Sequence, residues 1–446
     1  MSVFAVVVAT GLGISSFDTS AQSLPELNVQ IEALQKKLEE LDRKQRAAEV
    51  ESKRKVTEIE TKQQANTPAH AVTGGATPGS FKLPGSDTSV TLGGYIKLDA
   101  IYNSRSAGVG NNADLALIPN SIPVGPGAGE NERGQLKLHA RQSRFGIATS
   151  TPTQLGNLTT LLETDFFGSD GTETSSNSHG LRIRHAWGTL GSFSAGQYWT
   201  NFMNINALPE ALDFGGPAGA IFIRQAQVRW TQNIADAEWS VSLENPESSV
   251  GVPGTATTFR PDDDRHPDIV GRVAFDTPVG KYWVGTLIRN IRVDSAAAPQ
   301  SNDSKWGGSL AFSGAIQVFG RDDIKFYAYG GNSIGRYQPL GIFVDGVVDT
   351  DGHVSLPRVF GGNVAYRHFW ASNIRSTIVL SAARANLPSG TFSGLNEKVQ
   401  SAHVNLIWSP VKPVDVGVEY IHSGRELADG QSGRLNRIQF SSLFRF

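Results

Sequence analysis

The chain has 446 residues, no cysteine and a formal net charge of −2 at pH 7. The lack of cysteine excludes a disulfide framework and a thiolate metal site, and the near-neutral charge gives no bulk attraction to nucleic acid. Hydrophobic residues make up 39% of the chain, which is low for a globular core of this size. No run of about twenty apolar residues follows the N-terminal segment, which excludes a helical membrane protein.

The N-terminal segment has the pattern of a secretory signal peptide. An apolar run over residues 3–13 is followed by small residues that end at Ala21. We therefore predict a signal peptide at residues 1–21, with a truncated start because no Lys or Arg precedes the apolar run. An apolar tail of another kind is the alternative.

Residues 22–62 are predicted to form a coiled-coil helix. The apolar residues of this helix form a narrow stripe along one face. Because such a stripe buries little surface alone, it implies partner helices. A single charged helix lying on another domain is the alternative. Polar residues weaken the later part of the stripe. Its apolar positions recur in steps of four and three, at Leu27, Ile31, Leu34, Leu38, Leu41, Ala48 and Ile59. Residues 63–86, rich in Ala, Thr, Gly and Pro, are predicted to be a linker.

Residues 87–446 show the period-two alternation of β-strands. In the last strand, Ile438, Phe440 and Phe444 alternate with Arg437 and Gln439. Sixteen strands are predicted, at residues 88–103, 134–149, 155–168, 179–190, 192–200, 219–232, 237–245, 268–277, 280–294, 304–319, 322–337, 357–370, 373–386, 396–409, 413–423 and 432–446.

The connections between these strands alternate between short and long. Links such as 190–191 and 320–322 are tight, whereas 104–133 and 201–218 are long. Antiparallel strands with tight turns at one end and long loops at the other are typical of an outer-membrane β-barrel. An even strand number places both termini, and with them the predicted helix, in the periplasm, and Phe446 at the membrane boundary. A soluble β-sandwich or propeller is the alternative, but neither predicts this alternation of loop lengths.

Cations concentrate on the strand face that is predicted to line the barrel lumen. If Leu181, Ile183 and Trp187 face lipid, the residues between them in the fourth strand face inward. The same reasoning for the second and sixth strands completes the set of predicted anion-attracting residues: Lys137, Arg141, Arg144, Arg182, Arg184 and Arg229. Guanidinium groups hold carboxylates at two points, and a low-dielectric wall focuses their field.

Two points stay open for this set of cations. The alternation changes phase between Arg141 and Phe145, where a bulge is expected, so the direction of Arg144 is not fixed. The alternative for the whole set is solvated charges without a binding role, or arginines paired with wall acids such as Glu163 and Asp165.

The loop over residues 201–217 is unusually apolar for an exposed loop. It is therefore predicted to fold into the lumen and narrow it, with Glu210 and Asp213 facing the arginine-bearing wall. A loop that covers the barrel top, or that forms a subunit contact, is the alternative. The acidic stretch at 262–268 lacks calcium-loop spacing and is interpreted as a solvated extracellular loop.

Enzyme motifs such as a nucleophile elbow or a phosphate-binding Gly loop are missing from the sequence. We therefore expect a passive channel without metal or cofactor. A general or sugar-specific porin, with Tyr198, Tyr327 and Tyr329 along its lumen, is a first alternative. A barrel enzyme or an adhesin is a more remote one.

Several short motifs resemble those of the DcaP-like trimeric porins of Gram-negative bacteria. They lie at residues 92–99 (LGGYIKLD), 140–146 (ARQSRFG), 196–199 (GQYW) and 444–446 (FRF), in that order behind the predicted coiled coil. The resemblance implies a homotrimer in the outer membrane with a periplasmic helical stalk. It also implies passive uptake of small anions such as dicarboxylic acids, and allows a further periplasmic contact through the coiled coil.

Overall fold

A computed structural model describes residues 24–66, 73–108, 113–127, 132–169, 171, 173–252, 258–296, 300–388, 391 and 393–446. The predicted signal peptide therefore lies outside the described residues. The chain divides into two units, Met1–Ala71 and Val72–Phe446.

The first unit contains a single α-helix, α1, at Leu24–Asn66. It continues past residue 62, where the helix was predicted to end. Ion pairs between side chains four residues apart run along its surface, as between Lys44 and Glu40 at 2.8 Å. Leu38 and Leu41 of the predicted apolar stripe are 70% and 62% exposed in the single chain. No helix in the described part of the chain is both long and apolar enough to cross a membrane.

The second unit is a closed antiparallel β-barrel, and the prediction of sixteen strands is confirmed. The strands are β1 (Ser89–Asn103), β2 (Gln135–His139 and Arg144–Thr153), β3 (Gly156–Asp165), β4 (Arg182–Leu190), β5 (Phe193–Trp199), β6 (Arg224–Ile234), β7 (Ala237–Glu244), β8 (Asp268–Thr277), β9 (Gly280–Ser295), β10 (Ser301–Gln317), β11 (Asp323–Asn332), β12 (Arg358–Ala371), β13 (Ile374–Asn386), β14 (Asn396–Val411), β15 (Val414–Leu427) and β16 (Ser432–Arg445).

The barrel closes through the pairing of β16 with β1, in which Phe440 lies opposite Ala100. The alternation read from the last strand holds: Ile438 and Phe440 are exposed on the outside, whereas Arg437 and Gln439 are buried on the inside. The sheet thus closes on itself, as a barrel in lipid requires.

Short strands extend this framework. Thr73–Gly74 and Phe81–Lys82 pair with each other, and the second of them pairs with β1. A separate four-stranded sheet joins the long loops, with strands Val250–Gly251, Thr258–Phe259, Gly346–Val348 and Val354–Ser355.

β2 is interrupted at residues 140–143, as the change of phase in the sequence predicted. After the interruption Arg144 lies opposite Tyr95 of β1, and its guanidinium group lies 5.1 Å from the Tyr95 ring. Phe145 is exposed on the outside. Arg144, whose direction the sequence left open, therefore points toward the lumen.

The prediction that Trp187 faces lipid is wrong. The register of β3 and β4 shifts so that Glu163 pairs with His185 and Thr164 with Ile183, which leaves Arg184 as an extra residue. This bulge reverses the alternation beyond it. The Trp187 ring therefore stacks on Tyr198 at 5.4 Å and lies at the same distance from the Arg229 guanidinium.

Two segments fold into the lumen and fill part of it. The first inward loop, residues 200–223, follows β5, and the second inward loop, residues 333–345, follows β11. Both shorten a predicted strand: β6 begins at Arg224 rather than at residue 219, and β11 ends at Asn332 rather than at residue 337. The two loops pack against β8–β14 in one apolar core, which includes Phe202, Trp283, Tyr327, Tyr337 and Phe343.

A fully buried arginine ties the second inward loop to the wall. The Arg289 guanidinium of β9 donates to Asp268 at 2.9 Å, to Asp345 at 2.6 Å and to the Ser333 carbonyl at 2.8 Å. Two carboxylates thus compensate one cation that is shielded from water.

Replacing Arg289 with Ala is expected to destabilise the barrel by about 3–5 kcal/mol, because it leaves Asp268 and Asp345 buried without their cation. Urea unfolding of the detergent-solubilised protein, followed by electrophoretic mobility, measures the change. The control is Lys281→Ala, which removes an exposed pair with Asp276 and is expected to cost about 0–1 kcal/mol. Equal stability of the two variants would contradict the assignment of Arg289 as an anchor.

Candidate functional site

Five arginines gather on the lumen side of β2–β6. We define the arginine cluster as Arg141, Arg144, Arg182, Arg184 and Arg224. Its carboxylates come from β3. Asp165 accepts from Arg182 at 3.0 and 2.7 Å and from Arg184 at 2.9 Å. Glu163 accepts from Arg184 at 2.6 Å and lies 3.6 Å from Arg144. Within the described part of the chain, Arg144, Arg182, Arg184 and Arg224 thus face two carboxylates, which leaves an excess of positive charge.

Aromatic rings hold the guanidinium groups of the cluster in place. Arg141 and Arg182 lie 5.1 and 5.3 Å from the Phe167 ring, and Arg184 and Arg224 lie 5.8 and 4.8 Å from the Trp199 ring. These distances fit cation–π contact. The rings fix the groups without neutralising their charge.

Arg224 differs from Arg144, Arg182 and Arg184 because it forms no ion pair with a described carboxylate. Its Nη1 atom is buried, and no hydrogen-bond partner for it exists among the residues that the structure describes. A buried donor without a partner is rare in folded proteins. This donor lies beside the Trp199 ring and is shielded from solvent, whereas the Arg224 side chain as a whole lines an internal cavity.

The other predicted cations lie apart from the cluster. Lys137, near the long-loop end of β2, forms ion pairs with Asp114 at 3.3 Å and with Glu173. Arg229 donates to Gln227 at 3.1 Å and to the Trp199 carbonyl at 2.6 Å. Four of the six predicted cations are thus brought together, and these two are not.

The first inward loop crosses the lumen and contacts many strands. Its chain runs along the inner wall through side-chain hydrogen bonds to β7, β10, β11, β14, β15 and β16, made by Glu244, Ser313, Lys325, Asn405, Glu419 and Arg437. Phe214 then reaches the opposite wall, where it stacks on Phe167 at 4.5 Å.

The prediction that Glu210 and Asp213 face the arginine-bearing wall of β2–β6 is wrong. Glu210 accepts from Arg375 of β13 at 2.7 to 3.0 Å and lies 3.5 Å from Arg367 of β12. Asp213 accepts from Arg437 of β16 at 2.8 Å, and both side chains are 0% exposed. The nearer arginines of β12, β13 and β16 neutralise the loop carboxylates and make them anchors.

A cavity of about 770 Å³ lies between the long loops and β4–β6. Among the described residues that line it, the cations are Arg182, Arg224, Arg260 and Arg336, and the carboxylate is Glu247. Two of these arginines belong to the cluster. The cavity therefore connects the long-loop end of the barrel with the cluster along a positively charged surface.

The charge at the mouth of the barrel depends on pH near 6. Burial raises the pKa of Asp264, in the loop before β8, to about 6, and the neighbouring carboxylates Asp268, Asp263 and Glu247 act in the same direction against Arg289. A raised carboxyl pKa means that Asp264 is charged above about pH 6 and neutral below it.

Acidification through pH 6 is therefore expected to make the mouth more positive and to increase the preference for anions over cations. The reversal potential across a salt gradient, measured on both sides of this pH, tests the expectation. In Asp264→Asn the group is neutral throughout, so its reversal potential is expected to change less over the same interval. An equal pH response in both proteins would contradict the assignment to Asp264.

The tyrosines of the sugar-porin alternative do not form a lumen track. The Tyr327 hydroxyl donates to the Phe202 carbonyl, and Tyr329 accepts from Gln338. Both side chains are buried beneath the inward loops. Tyr198 alone among the three lies beside the cations, stacked on Trp187.

Sequence reasoning missed Arg224, Arg260 and Arg336, as well as the loop anchors Arg367 and Arg375. In β6, residues 225, 227 and 229 were predicted to face inward. Strict alternation would therefore point the side chain of Arg224 outward. Because β6 begins at Arg224 itself, the alternation does not fix the direction of this side chain. Arg260 and Arg336 lie in long loops, where no periodicity indicates a direction.

Comparisons with known proteins identify the family and the fold. A family profile described as DcaP outer membrane protein matches residues 15–446. The outer membrane channel DcaP of Acinetobacter baumannii is similar with a TM-score of 0.69 and 26% identity, over 80% of this chain and 97% of that one. OmpF of Salmonella typhi, in complex with daunomycin, has a TM-score of 0.51 and 8% identity over 80% and 98% of the two chains, which supports the fold alone. No curated protein matches the chain.

Proposed function

The chain belongs to the DcaP outer membrane protein family, so it is an outer-membrane channel of the porin type and not an enzyme. From this premise we propose that the channel admits small anions in preference to cations. Dicarboxylates are its favoured solutes. Solutes move down their own gradient. The protein supplies a water-filled path and a positive field along it.

One observation carries this proposal: among its described lining residues, the cavity that leads to the arginine cluster has four arginines and one carboxylate. Because the barrel wall has a low dielectric constant, the field of these groups is focused into the cavity and raises the local concentration of anions. The inward loops fill the β8–β14 side of the lumen, so the path runs beside β2–β6.

Dicarboxylates fit the arrangement of charges along this path. A guanidinium group holds a carboxylate through two parallel hydrogen bonds. Arg224, which has no carboxylate partner among the described residues and lines the cavity, offers such a site within the cluster, and Arg260 and Arg336 offer a second positive surface at the mouth. A solute with two carboxylates has one binding group for each of these levels, whereas a monocarboxylate has a binding group for only one.

The helix supports an assembly of several copies. Leu38 and Leu41 are exposed in the single chain, and burial of this apolar stripe against the same stripe of other copies would stabilise the helix. We propose a homotrimer with a periplasmic helical stalk, which leaves the charged outer face of the stalk for a further periplasmic contact.

Blockade of single-channel current by added carboxylates tests the solute preference. Succinate is expected to reduce the chloride current at lower concentration than acetate, because two carboxylates engage two levels of arginines. An uncharged sugar of similar size serves as the control and is expected to block least. If the sugar blocks as well as succinate, the general or sugar-specific porin is the better interpretation.

A further inference from the structure

The outer surface of the barrel carries a groove that faces lipid on β12–β15. We call it the outer groove and define it by Gly362, Leu380, Ala382, Gln400, Ala402 and His422. Its volume is about 580 Å³. Small residues meet across the strands here, since Gly362 pairs with Ala382 and Ala402 lies on the next strand. Elsewhere the same face carries large side chains such as Phe312 and Trp408.

A polar pocket of about 400 Å³ adjoins the outer groove toward the long-loop end. We call it the headgroup pocket and define it by Arg105, Ser106, His422, Ser432, Arg434 and Asn436. His422 lines both the groove and the pocket. A small-residue apolar groove thus continues into a cationic pocket at the level of the outer leaflet.

The polar groups of the headgroup pocket have unused hydrogen-bond donors. Arg105 and Arg434 are exposed, and neither meets a carboxylate within the described part of the chain. Asn436 Oδ1 accepts from the Tyr420 hydroxyl at 2.9 Å and lies 2.8 Å from His422 Nδ1. The amide oxygen is therefore occupied, and with respect to the described residues the Asn436 amide nitrogen remains as a donor beside two guanidinium groups.

We propose that this surface binds an acylated, phosphate-bearing glycolipid of the outer leaflet. Its acyl chains lie in the outer groove, and a phosphate group is held by Arg105 and Arg434 with Asn436. The charge of the pocket selects this occupant: two guanidinium groups without carboxylate partners among the described residues complement a phosphate, with which arginine forms two-point hydrogen bonds. The apolar groove below them complements the chains of the same molecule.

Native mass spectrometry of the full chain in detergent, with diphosphoryl lipid A as the probe, tests the proposal. The wild type is expected to retain diphosphoryl lipid A more strongly than zwitterionic phosphatidylethanolamine. Arg105→Gln/Arg434→Gln is expected to weaken retention by about tenfold or more, since two charge-assisted contacts are lost. Lys281→Gln/Lys305→Gln removes the same charge from exposed positions on other strands and is expected to bind like the wild type.

A second variant separates the groove from the pocket. Ala382→Phe/Ala402→Phe fills the outer groove from the lipid side and is expected to reduce retention of lipid A while leaving the barrel folded. Single-channel current reports folding, because none of these residues lies in the lumen. Equal retention by the wild type and the Arg105→Gln/Arg434→Gln variant would overturn the proposal. In the Ala382→Phe/Ala402→Phe variant, a changed oligomer mass with unchanged lipid retention would also overturn the proposal. That result would assign the outer groove to contact with a second copy of the chain.

Discussion

Replacing Arg182 and Arg184 with Gln is expected to lower the anion-to-cation permeability ratio about fivefold or more. One unit charge acting at about 4 Å contributes about 1 kcal/mol in bulk water and more beside a low-dielectric wall, and about 1.4 kcal/mol corresponds to a factor of ten. The change removes two of the five guanidinium groups and leaves Glu163 and Asp165 in place. Reversal potentials across a salt gradient give the ratio directly.

Two further variants make this result interpretable. Arg224→Gln removes a guanidinium group that has no carboxylate partner among the described residues, so it shifts the ratio in the same direction with little risk to folding. Arg384→Gln/Lys398→Gln removes two exposed cations from β13 and β14, outside the lumen, and is expected to leave the ratio nearly unchanged. A ratio that stays at the wild-type value in both cluster variants would show that the cluster does not select anions.

Deleting residues 206–213 is expected to raise single-channel conductance severalfold. These residues carry the first inward loop across the lumen, where Leu212 N donates to Glu419 at 2.6 Å and Lys97 donates to the Leu212 carbonyl at 2.6 Å. Without them the cross-section that the loop occupies becomes available to water and ions. The deletion also frees Arg367, Arg375 and Arg437 from their loop carboxylates, so the preference for anions increases at the same time.

A variant of unchanged length separates the two effects of this deletion. Glu210→Gln/Asp213→Asn keeps the loop but removes the charges that anchor it, so we expect noisier current and a smaller rise in conductance than for the deletion. Conductance equal to the wild type in the deletion variant would mean that the first inward loop does not limit the path.

The barrel was predictable because the alternation within each strand and the lengths of the loops can be read from residues close together in the sequence. A strand with one lipid face reveals itself through alternation, as in the last strand, where Ile438 and Phe440 face out and Arg437 faces in. Short turns and long loops then order the strands without any knowledge of their contacts. The β2 interruption was visible for the same reason, since the phase changes within a few residues of Arg141.

The detailed site depended on contacts between residues far apart in sequence. Asp213 and Arg437 meet across the barrel, and no pattern near either residue indicates the other. The bulge at Arg184 is equally hidden, because the unpaired residue is set by its partners on β3. The bulge at Arg184 turns the Trp187 side chain from the predicted lipid face to the lumen, so Trp187 becomes part of the lumen wall.

The inward loops explain the remaining differences. Apolar residues such as Phe202 correctly indicated that the first loop is packed, but its path follows hydrogen-bonding groups on many strands. The second inward loop carries apolar residues as well, such as Ile342 and Phe343, but part of it was assigned to the predicted strand at 322–337. Its burial combines this apolar packing with the ion pairs of Arg289, whose partners Asp268 and Asp345 are far apart in sequence.

Arginines beside β2–β6 are proposed to give the channel its preference for anions. The reversal potential of the wild-type protein in a planar bilayer, measured across a potassium chloride gradient, tests this most directly. A potential with the sign of chloride permeation, reduced in Arg224→Gln, is the predicted result. A potential with the sign of potassium permeation would contradict the proposed selectivity.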